Sequence, residues 1–409
     1  ADFVSGGREL ASSVGGTLYV SDYGDDLGYK MSDSEIVNGV RRLREGDVIK
    51  VGSLKLEVMH TPGHTPEHLC YLLTADDADK PFAIFSGDCL FAGDMGRPDL
   101  LETAVGIMGS AETGAKGQFA AMKRLKAMPD YLQVLPGHGA GSACGKALGD
   151  VPSTTLGYEK LFNPAFQIAD EAQFVTWLLE GQPPVPRYFA RMKKVNQQGA
   201  VAVNSLKWPR PVVYDSELKL ARDFLMIDTR PTQIFASSHI PNTVNIPISD
   251  TKFSTYAGGY VDYDQPTYLV VDSQDLEAVV DRLHAIGVDN LGGYVSTHIA
   301  ERYHTATSLY DVEEAQAAQL EGALLLDVRN LNEYQEMHIP GALLIPMDEI
   351  AGRMNELPRD REIILYCAAG TRSSIVTSWL QKRGVLNTAH LIGGINAWKQ
   401  AGLPVESEK

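Results

Sequence analysis

The stretch LLLDVRNLNEYQEMHIPGALLIPM, residues 324–347, has a counterpart in FLMIDTRPTQIFASSHIPNTVNIPI, residues 224–248. Asp228 matches Asp327, Arg230 matches Arg329 and His239 matches His338, at an offset of 99 each time (327 − 228, 338 − 239). Each copy continues with a strand-like run, a helical segment and a Gly-Gly turn, LGGY at 291–294 and IGGI at 392–395. An apolar run closing on Asp-x-Arg, with His-Ile-Pro at a fixed distance, does not recur in register by chance. The repeat predicts two tandem α/β domains of about 100 residues each.

Around that repeat, composition narrows the field. The chain has 409 residues, which favours two to three domains, and its 44% hydrophobic and 22% charged residues are those of a globular protein with real cores. No run approaches the ~20 apolar residues of a membrane span, and ADFVSGGREL at the start lacks the basic and apolar regions of a signal peptide. The first residue is not Met, so residue 1 is expected to differ from the natural start. A net charge of −16 without a basic run disfavours nucleic acid and anionic membranes as partners. Four scattered cysteines with no Cys-x-x-Cys point to thiols in a reducing cytoplasm rather than a disulfide scaffold.

The second copy carries IILYCAAGTRSSIVTSWLQKRG, residues 363–384. An apolar strand ends at Cys367, a short Gly-containing loop follows, and a helix is expected from about Ser373. That order places the thiol over backbone N–H groups at a helix start, a cradle that favours anions and a thiolate nucleophile. Arg372 adds fixed positive charge. The alternative is a buried core cysteine; the Cys-x-x-Gly-x-Arg-Ser frame favours the nucleophile.

This domain resembles the rhodanese family of sulfurtransferases, through the Cys loop and through LLLDVRNLNEYQEMHIPGA and GGINAWKQAGLPV on either side. The resemblance implies that Cys367 carries sulfane sulfur as a persulfide, with Ala368, Ala369, Gly370, Thr371 and Ser373 forming its cradle and Arg372 assisting. Four residues separate Cys367 from Arg372; the related phosphatases place five there, and the shorter loop suits one sulfur atom. Asp327 and Arg329 read as fold-fixing residues. In the first copy, YLVVDSQDL (268–276) is read against ILYCAAGTR with Asp272 as the counterpart of the nucleophile, so this copy is expected to be inactive, a spacer or docking surface. His239 and His298 read as structural or surface histidines.

Before about residue 200, apolar runs end in polar, turn-forming residues: LKLEVMH (54–60), FAIFSGD (82–88) and YLQVLPGHG (131–139). Strand tips followed by loops both fix a side chain and leave it accessible. QFAAMKRLKAM (118–128) has helical periodicity, and PVPRYFARMKKVNQQG (184–199) reads as a connector. HTPGHTPEH at 60–68 sets three histidines among turn formers, a metal-binding pattern short of a full ligand set.

These motifs, TPGHT around His64, FSGDCLF around Asp88 and LPGHG around His138, resemble the metallo-β-lactamase fold, an αββα sandwich. The family's first motif, His-x-His-x-Asp-His, is matched only by its tail: Asp2 stands for its Asp, Phe3 for its last His, and the opening histidines would precede residue 1. Loss of the His at Phe3 argues for one metal. By resemblance His64, Asp88 and one upstream His form a two-His, one-carboxylate set that favours a single Fe(2+) and O2 chemistry, with zinc as an occupant on purification. Asp2 and His138 lie outside that set and hold a water on the metal by hydrogen bonds. Arg97, in FSGDCLFAGDMGRPDL (85–100), matches the position that grips a substrate's anionic tail. His60 and His68 read as structural. Cys144, in the Gly/Ser-rich PGHGAGSACGKALG (136–149), either contacts the substrate sulfur or is a loop cysteine without consequence; Cys70 and Cys89 are expected to be buried and inert.

The expected architecture is thus α/β and α+β multi-domain: a metallo-β-lactamase-like domain over 1–205, an inactive rhodanese-like domain over 206–303 and an active one over 304–409. The whole resembles the persulfide dioxygenase–rhodanese fusions of sulfide detoxification. That resemblance implies oxidation of a low-molecular-weight persulfide (of glutathione, coenzyme A or a small thiol) to sulfite, and transfer of sulfur through Cys367 to give thiosulfate. Two other readings stand beside it. One is a two-zinc thioester hydrolase of the glyoxalase II kind fused to a rhodanese; the other is a metal-free sulfurtransferase, should the chain start at Ala1. A homo-oligomer is a reasonable expectation for an acidic multi-domain enzyme.

Overall fold

The computed structural model describes residues 2–23, 39–103, 106–140 and 142–408. Two compact units emerge, one holding Ser5–Ala200 and one holding Asp2–Val4 with Val201–Lys409. Among the described residues no helix is long and apolar enough to cross a membrane.

In the first unit a six-stranded sheet runs in the order Val48–Val51, Leu54–His60, Leu69–Ala75, Ala83–Gly87, Gln133–Pro136, Thr154–Thr155. The first four strands form an antiparallel meander, while Ala83–Gly87 and Gln133–Pro136 pair in parallel. A parallel pair needs a crossover, and the helix Ser110–Lys126 lies within it. Ala115, Phe119, Met122 and Leu125, spaced three and four apart, give that helix one apolar face. The face packs with Met59, Cys70, Ile84, Leu132 and Val134 in one buried cluster. Because Leu54–His60, Ala83–Gly87 and Gln133–Pro136 run in the same direction, their C-terminal ends share one edge of the sheet. The loops bearing His64, Asp88 and His138 therefore start from that edge. The expected connector 184–199 contains a helix, Phe189–Gln198.

The second unit holds two all-parallel sheets. One has the order Val244–Asn245, Leu225–Asp228, Thr267–Val270, Leu291–Val295. The other has the order Ser308–Tyr310, Thr388–Leu391, Ile363–Tyr366, Leu324–Asp327, Leu343–Leu344. The repeated residues do the same work in each. Asp228 takes Arg230 at 2.6 Å and Arg230 Nη2 also donates to Ser238 O; Asp327 takes Arg329 at 2.6 Å and Arg329 Nη2 donates to Met337 O. Both carboxylates are fully buried, and each is neutralised by its arginine inside the core. His239 stacks on Phe235 and His338 on Tyr334, each ring bonded to the carbonyl four residues back. His298 lies on the surface beside Glu301.

Sheet register corrects the placement of Asp272 at the nucleophile position of the first copy. Asp228 pairs with Val270, and Asp327 pairs with Tyr366. Val270 is therefore the counterpart of Tyr366, and Val271, not Asp272, stands in the place of Cys367. Val271 is buried and its amide continues the ladder to Val295 O. Asp272 falls one residue later, where its carboxylate accepts a hydrogen bond from Thr297 Oγ1. The first copy lacks a nucleophile because an aliphatic side chain fills its position.

Candidate active sites

His64 sits on the loop that leaves Leu54–His60, buried at 4% exposure. Its Nδ1 is bonded to Arg97 O at 2.9 Å, which fixes the ring and leaves Nε2 facing Asp88 Oδ2 at 3.9 Å. On the other side His138 Nε2 lies 2.9 Å from Asp88 Oδ1. The structure thus brings His64, Asp88 and His138 together. Burial holds the His64 imidazolium pKa below its usual value, so the ring keeps a lone pair. Burial pushes the Asp88 carboxyl up, but His64 and His138 outweigh it and hold the group ionised, well below the usual carboxylate range. Asp88 Oδ1 is buried and, among the described residues, faces only the His138 imidazole. A buried imidazole anchored through Nδ1, an ionised carboxylate facing its Nε2 and a second imidazole beside that carboxylate suit a divalent metal.

The flanking histidines serve the scaffold. His60 Nε2 bonds Pro66 O at 2.8 Å and the ring stacks on Tyr23. His68 accepts the Asp88 amide on Nε2 at 3.0 Å and meets Thr61 Oγ1 through Nδ1, so it orients the Asp88 loop. Gly87 is required there, with φ +51° and a Cβ position 2.7 Å from His68 Nε2.

Arg97 departs from expectation. Its Nε and Nη2 form a bidentate pair with Asp99 at 2.7 Å, and Nη1 donates to Ala143 O and Pro183 O. At 2% exposure it clamps its own loop to the 143 and 183 segments and is not placed to grip a substrate anion. The sequence named the residue but not Asp99, its partner two positions on. Cys144 is fully buried, with a His138 ring nitrogen within 4.8 Å of its thiol. Cys70 and Cys89 are buried too; Thr61 Oγ1 contacts Cys70 Sγ at 3.3 Å. Asp2 and Phe3 belong to the Asp2–Val4 segment that falls with the second unit.

In the second unit, Ile363–Tyr366 ends at Cys367 and the helix Thr371–Lys382 begins after Gly370, two residues earlier than its expected start. Gly370, at φ +113°, turns its amide back onto Cys367 Sγ at 3.1 Å. Ser373 Oγ reaches the same sulfur at 3.6 Å. The Gly-Gly turn closes the loop from behind: Ile395 N–H donates to Cys367 O and Asn396 N–H to Ala368 O. A Cβ on Gly394 would sit 2.2 Å from Cys367 O. Arg372 is held by Glu333 through two bonds of 2.7 Å. Burial pushes the Glu333 carboxyl up, and Arg372 more than offsets it, leaving the group below its usual range. Glu333 was legible only as the far end of a capping box with Asn330.

A cavity of about 290 Å³ opens over this loop. Gly370, Thr371 and His390 line it from the second copy, and Thr232, Ser249 and Asp250 from the first. The first copy thus contributes a wall to the pocket. His390 escaped the sequence reading, because a histidine inside an apolar strand gives no motif.

The model of the rhodanese-like domain matches residues 308–401. The chain is 41% identical over 88 residues to a sulfurtransferase of Allochromatium vinosum, an overlap of 22% of this chain and 82% of that protein. It is 33% identical over 185 residues to a hydroxyacylglutathione hydrolase of Rhodopseudomonas palustris; the overlap is 44% of this chain and spans 62% of the hydrolase's length. A solved structure, a metallo-β-lactamase from Staphylococcus aureus, is 42% identical with a TM-score of 0.65, covering 72% of this chain and 82% of that one.

Proposed function

From a chain that belongs to the metallo-β-lactamase family and carries a rhodanese-like domain at its C-terminal end, we propose a two-step enzyme of sulfur metabolism. The first unit oxidises a low-molecular-weight persulfide, RSSH + O2 + H2O giving RSH, sulfite and two protons. The second transfers sulfane sulfur to that sulfite.

The observation that carries the sulfur-transfer half is Cys367 Sγ facing the Gly370 amide at a helix start. Its thiolate attacks the outer sulfur of a second RSSH, forming Cys–S–SH and releasing RS⁻. Sulfite then attacks the outer sulfur, giving thiosulfate, the Cys367 thiolate and a proton. The cradle amide and Ser373 face the sulfur that bears negative charge at the start and end of this cycle.

In the first unit His64 and Asp88 would hold the metal, with His138 beside them. Bound Fe(2+) supplies the O2 chemistry. The chain's own part is to present the His64 lone pair by anchoring Nδ1 on Arg97 O, and to keep Asp88 ionised. Cys144 is buried with its thiol within 4.8 Å of a His138 ring nitrogen. Linking the two activities on one chain raises the sulfite concentration near its acceptor. Glutathione or coenzyme A persulfide fits as donor, in a reducing cytoplasm.

Similarity to the hydroxyacylglutathione hydrolase supports a second reading, a thioester hydrolase with two zinc ions. Phe3, in place of the family's histidine for a second metal, favours the dioxygenase. Oxygen uptake by iron-loaded protein with glutathione persulfide decides between them: uptake with sulfite formation is expected, and thioester cleavage without uptake overturns the proposal. His64→Ala should abolish uptake together with metal retention. Cys367→Ser should stop thiosulfate production while sulfite accumulates; unchanged thiosulfate output removes Cys367 from the reaction.

A further inference from the structure

Ser373 Oγ has one proton and three neighbours: Cys367 Sγ at 3.6 Å, Gly370 O at 3.0 Å and His390 Nδ1 at 3.3 Å. Where that proton goes decides whether the sulfur anion gains a second donor beside the Gly370 amide. His390 controls the choice. It is 2% exposed, on the strand Thr388–Leu391 that pairs with the strand leading to Cys367. Its Nε2 is buried without a hydrogen-bond partner among the described residues.

The two neutral tautomers differ in consequence. With the proton on Nε2, a buried donor has no acceptor, and Nδ1 competes with the sulfur for the serine proton. With the proton on Nδ1, only an acceptor is left unpaired, which proteins tolerate better, and the imidazole donates to Ser373 Oγ. Burial alone pushes the His390 imidazolium pKa down to about 4, so at neutral pH the ring is uncharged and acts through hydrogen bonding. Between the remaining acceptors, Gly370 O is neutral and Cys367 sulfur is anionic when reactive, and a charged acceptor draws the stronger bond.

We propose that His390 is a positioning residue for sulfur transfer: as the Nδ1–H tautomer it donates to Ser373 Oγ and thereby directs the serine proton onto Cys367 Sγ. It acts on the sulfur through Ser373. The inference rests on the reading of Cys367 as the sulfur-bearing thiolate.

The test follows sulfur loading of full-length protein with thiosulfate, in which Cys367 thiolate takes the outer sulfur and sulfite leaves, read as the mass gain on the Cys367 peptide. Cys367→Ser must abolish the gain; if it does not, the underlying reading fails, whatever the other variants do. His390→Phe keeps the ring volume without a donor and is expected to slow loading about tenfold or more, the weight of a hydrogen bond to a charged group. Ser373→Ala should slow it by the same factor, and the double variant no further, since one removes what the other directs. His390→Asn, whose amide restores a donor near the Nδ1 position, should recover most of the rate. In ¹⁵N-histidine spectra of the wild type, the resonance missing from His390→Asn should report Nδ1–H. An Nε2–H tautomer, unchanged loading in His390→Phe, or multiplicative losses in the double variant overturns the proposal. The spectrum of the wild type decides even if His390→Phe does not fold.

Discussion

Arg97 illustrates how far a residue type reads without its surroundings. In sequence it is a cation in a site loop; in the structure four of its hydrogen bonds go to Asp99, Ala143 O and Pro183 O. Removing one partner of a buried ion pair strands the other, at a cost of about 3–5 kcal/mol. Arg97→Ala should therefore lower the denaturant midpoint of the first unit, whereas a substrate grip would raise KM at unchanged stability. His64 and Asp88 were legible because strand tips with turn formers announce loop residues, and His138 joins them at 2.9 Å. His390 was not legible, because its role lies in a contact 17 positions away in sequence. It also makes a pH prediction. The unfolded imidazole binds its proton below about 6.5, the folded one only below about 4. Between those values the unfolded chain holds the extra proton, so stability is full above pH 6.5 and falls as pH drops toward 4. His239 and His284, also lowered by burial, add to the same loss. Urea midpoints at pH 7 and pH 5 should differ less in His390→Asn than in the wild type.

At the scale of elements, the Cys loop was the most readable part of the chain, because its glycines answer to geometry. Gly394 has φ +59° and no room for a Cβ against Cys367 O. Gly394→Ala should break the bonds from Ile395 and Asn396 to the loop carbonyls, cost about 1–3 kcal/mol of backbone strain, and slow sulfur loading. Retained loading at wild-type rate would detach the Gly-Gly turn from cradle geometry. In the first copy Asp272 stands one residue past the nucleophile position, and the strings themselves show it: YLVVDSQDL set end to end against ILYCAAGTR puts Val271 opposite Cys367. The two copies keep an offset of 99 through His-Ile-Pro, but the central strands pair at an offset of 96 (366 − 270). Three residues are absent in between, and the hydrogen-bond pairing agrees with the string alignment in giving Val271 the place of Cys367.

For the molecule as a whole, the repeat predicted two domains but not that they would share a pocket. The first copy, expected as a spacer or docking surface, lines the cavity over the loop that follows Cys367 with Thr232, Ser249 and Asp250. Beside the ring contact of Tyr260 with Trp379, polar and specific contacts tie the copies together. Ser374 Oγ donates to Asn245 Oδ1 at 2.8 Å, and Asn245 N–H donates to Ser378 Oγ at 2.9 Å. Lys382 Nζ donates to Arg222 O, Phe224 O and Asn242 O at 3.1, 2.7 and 3.1 Å. Ser374, Ser378 and Lys382 all lie on the helix that starts at the Cys loop, so the element that follows Cys367 also carries the tie to the first copy. An ammonium shared by three carbonyls resembles a C-terminal cap made across two domains. Replacing it with Met keeps the stem's packing and leaves the carbonyls without their donor, at about 1–3 kcal/mol for each that stays buried. Lys382→Met should therefore loosen the copies before it unfolds either one. The expected signature is a denaturant curve that separates into two transitions where the wild type shows one, with sulfur transfer lost across the first. If the curve stays single and transfer survives to its end, the copies are held by their apolar contacts, and the first copy's wall is dispensable to Cys367.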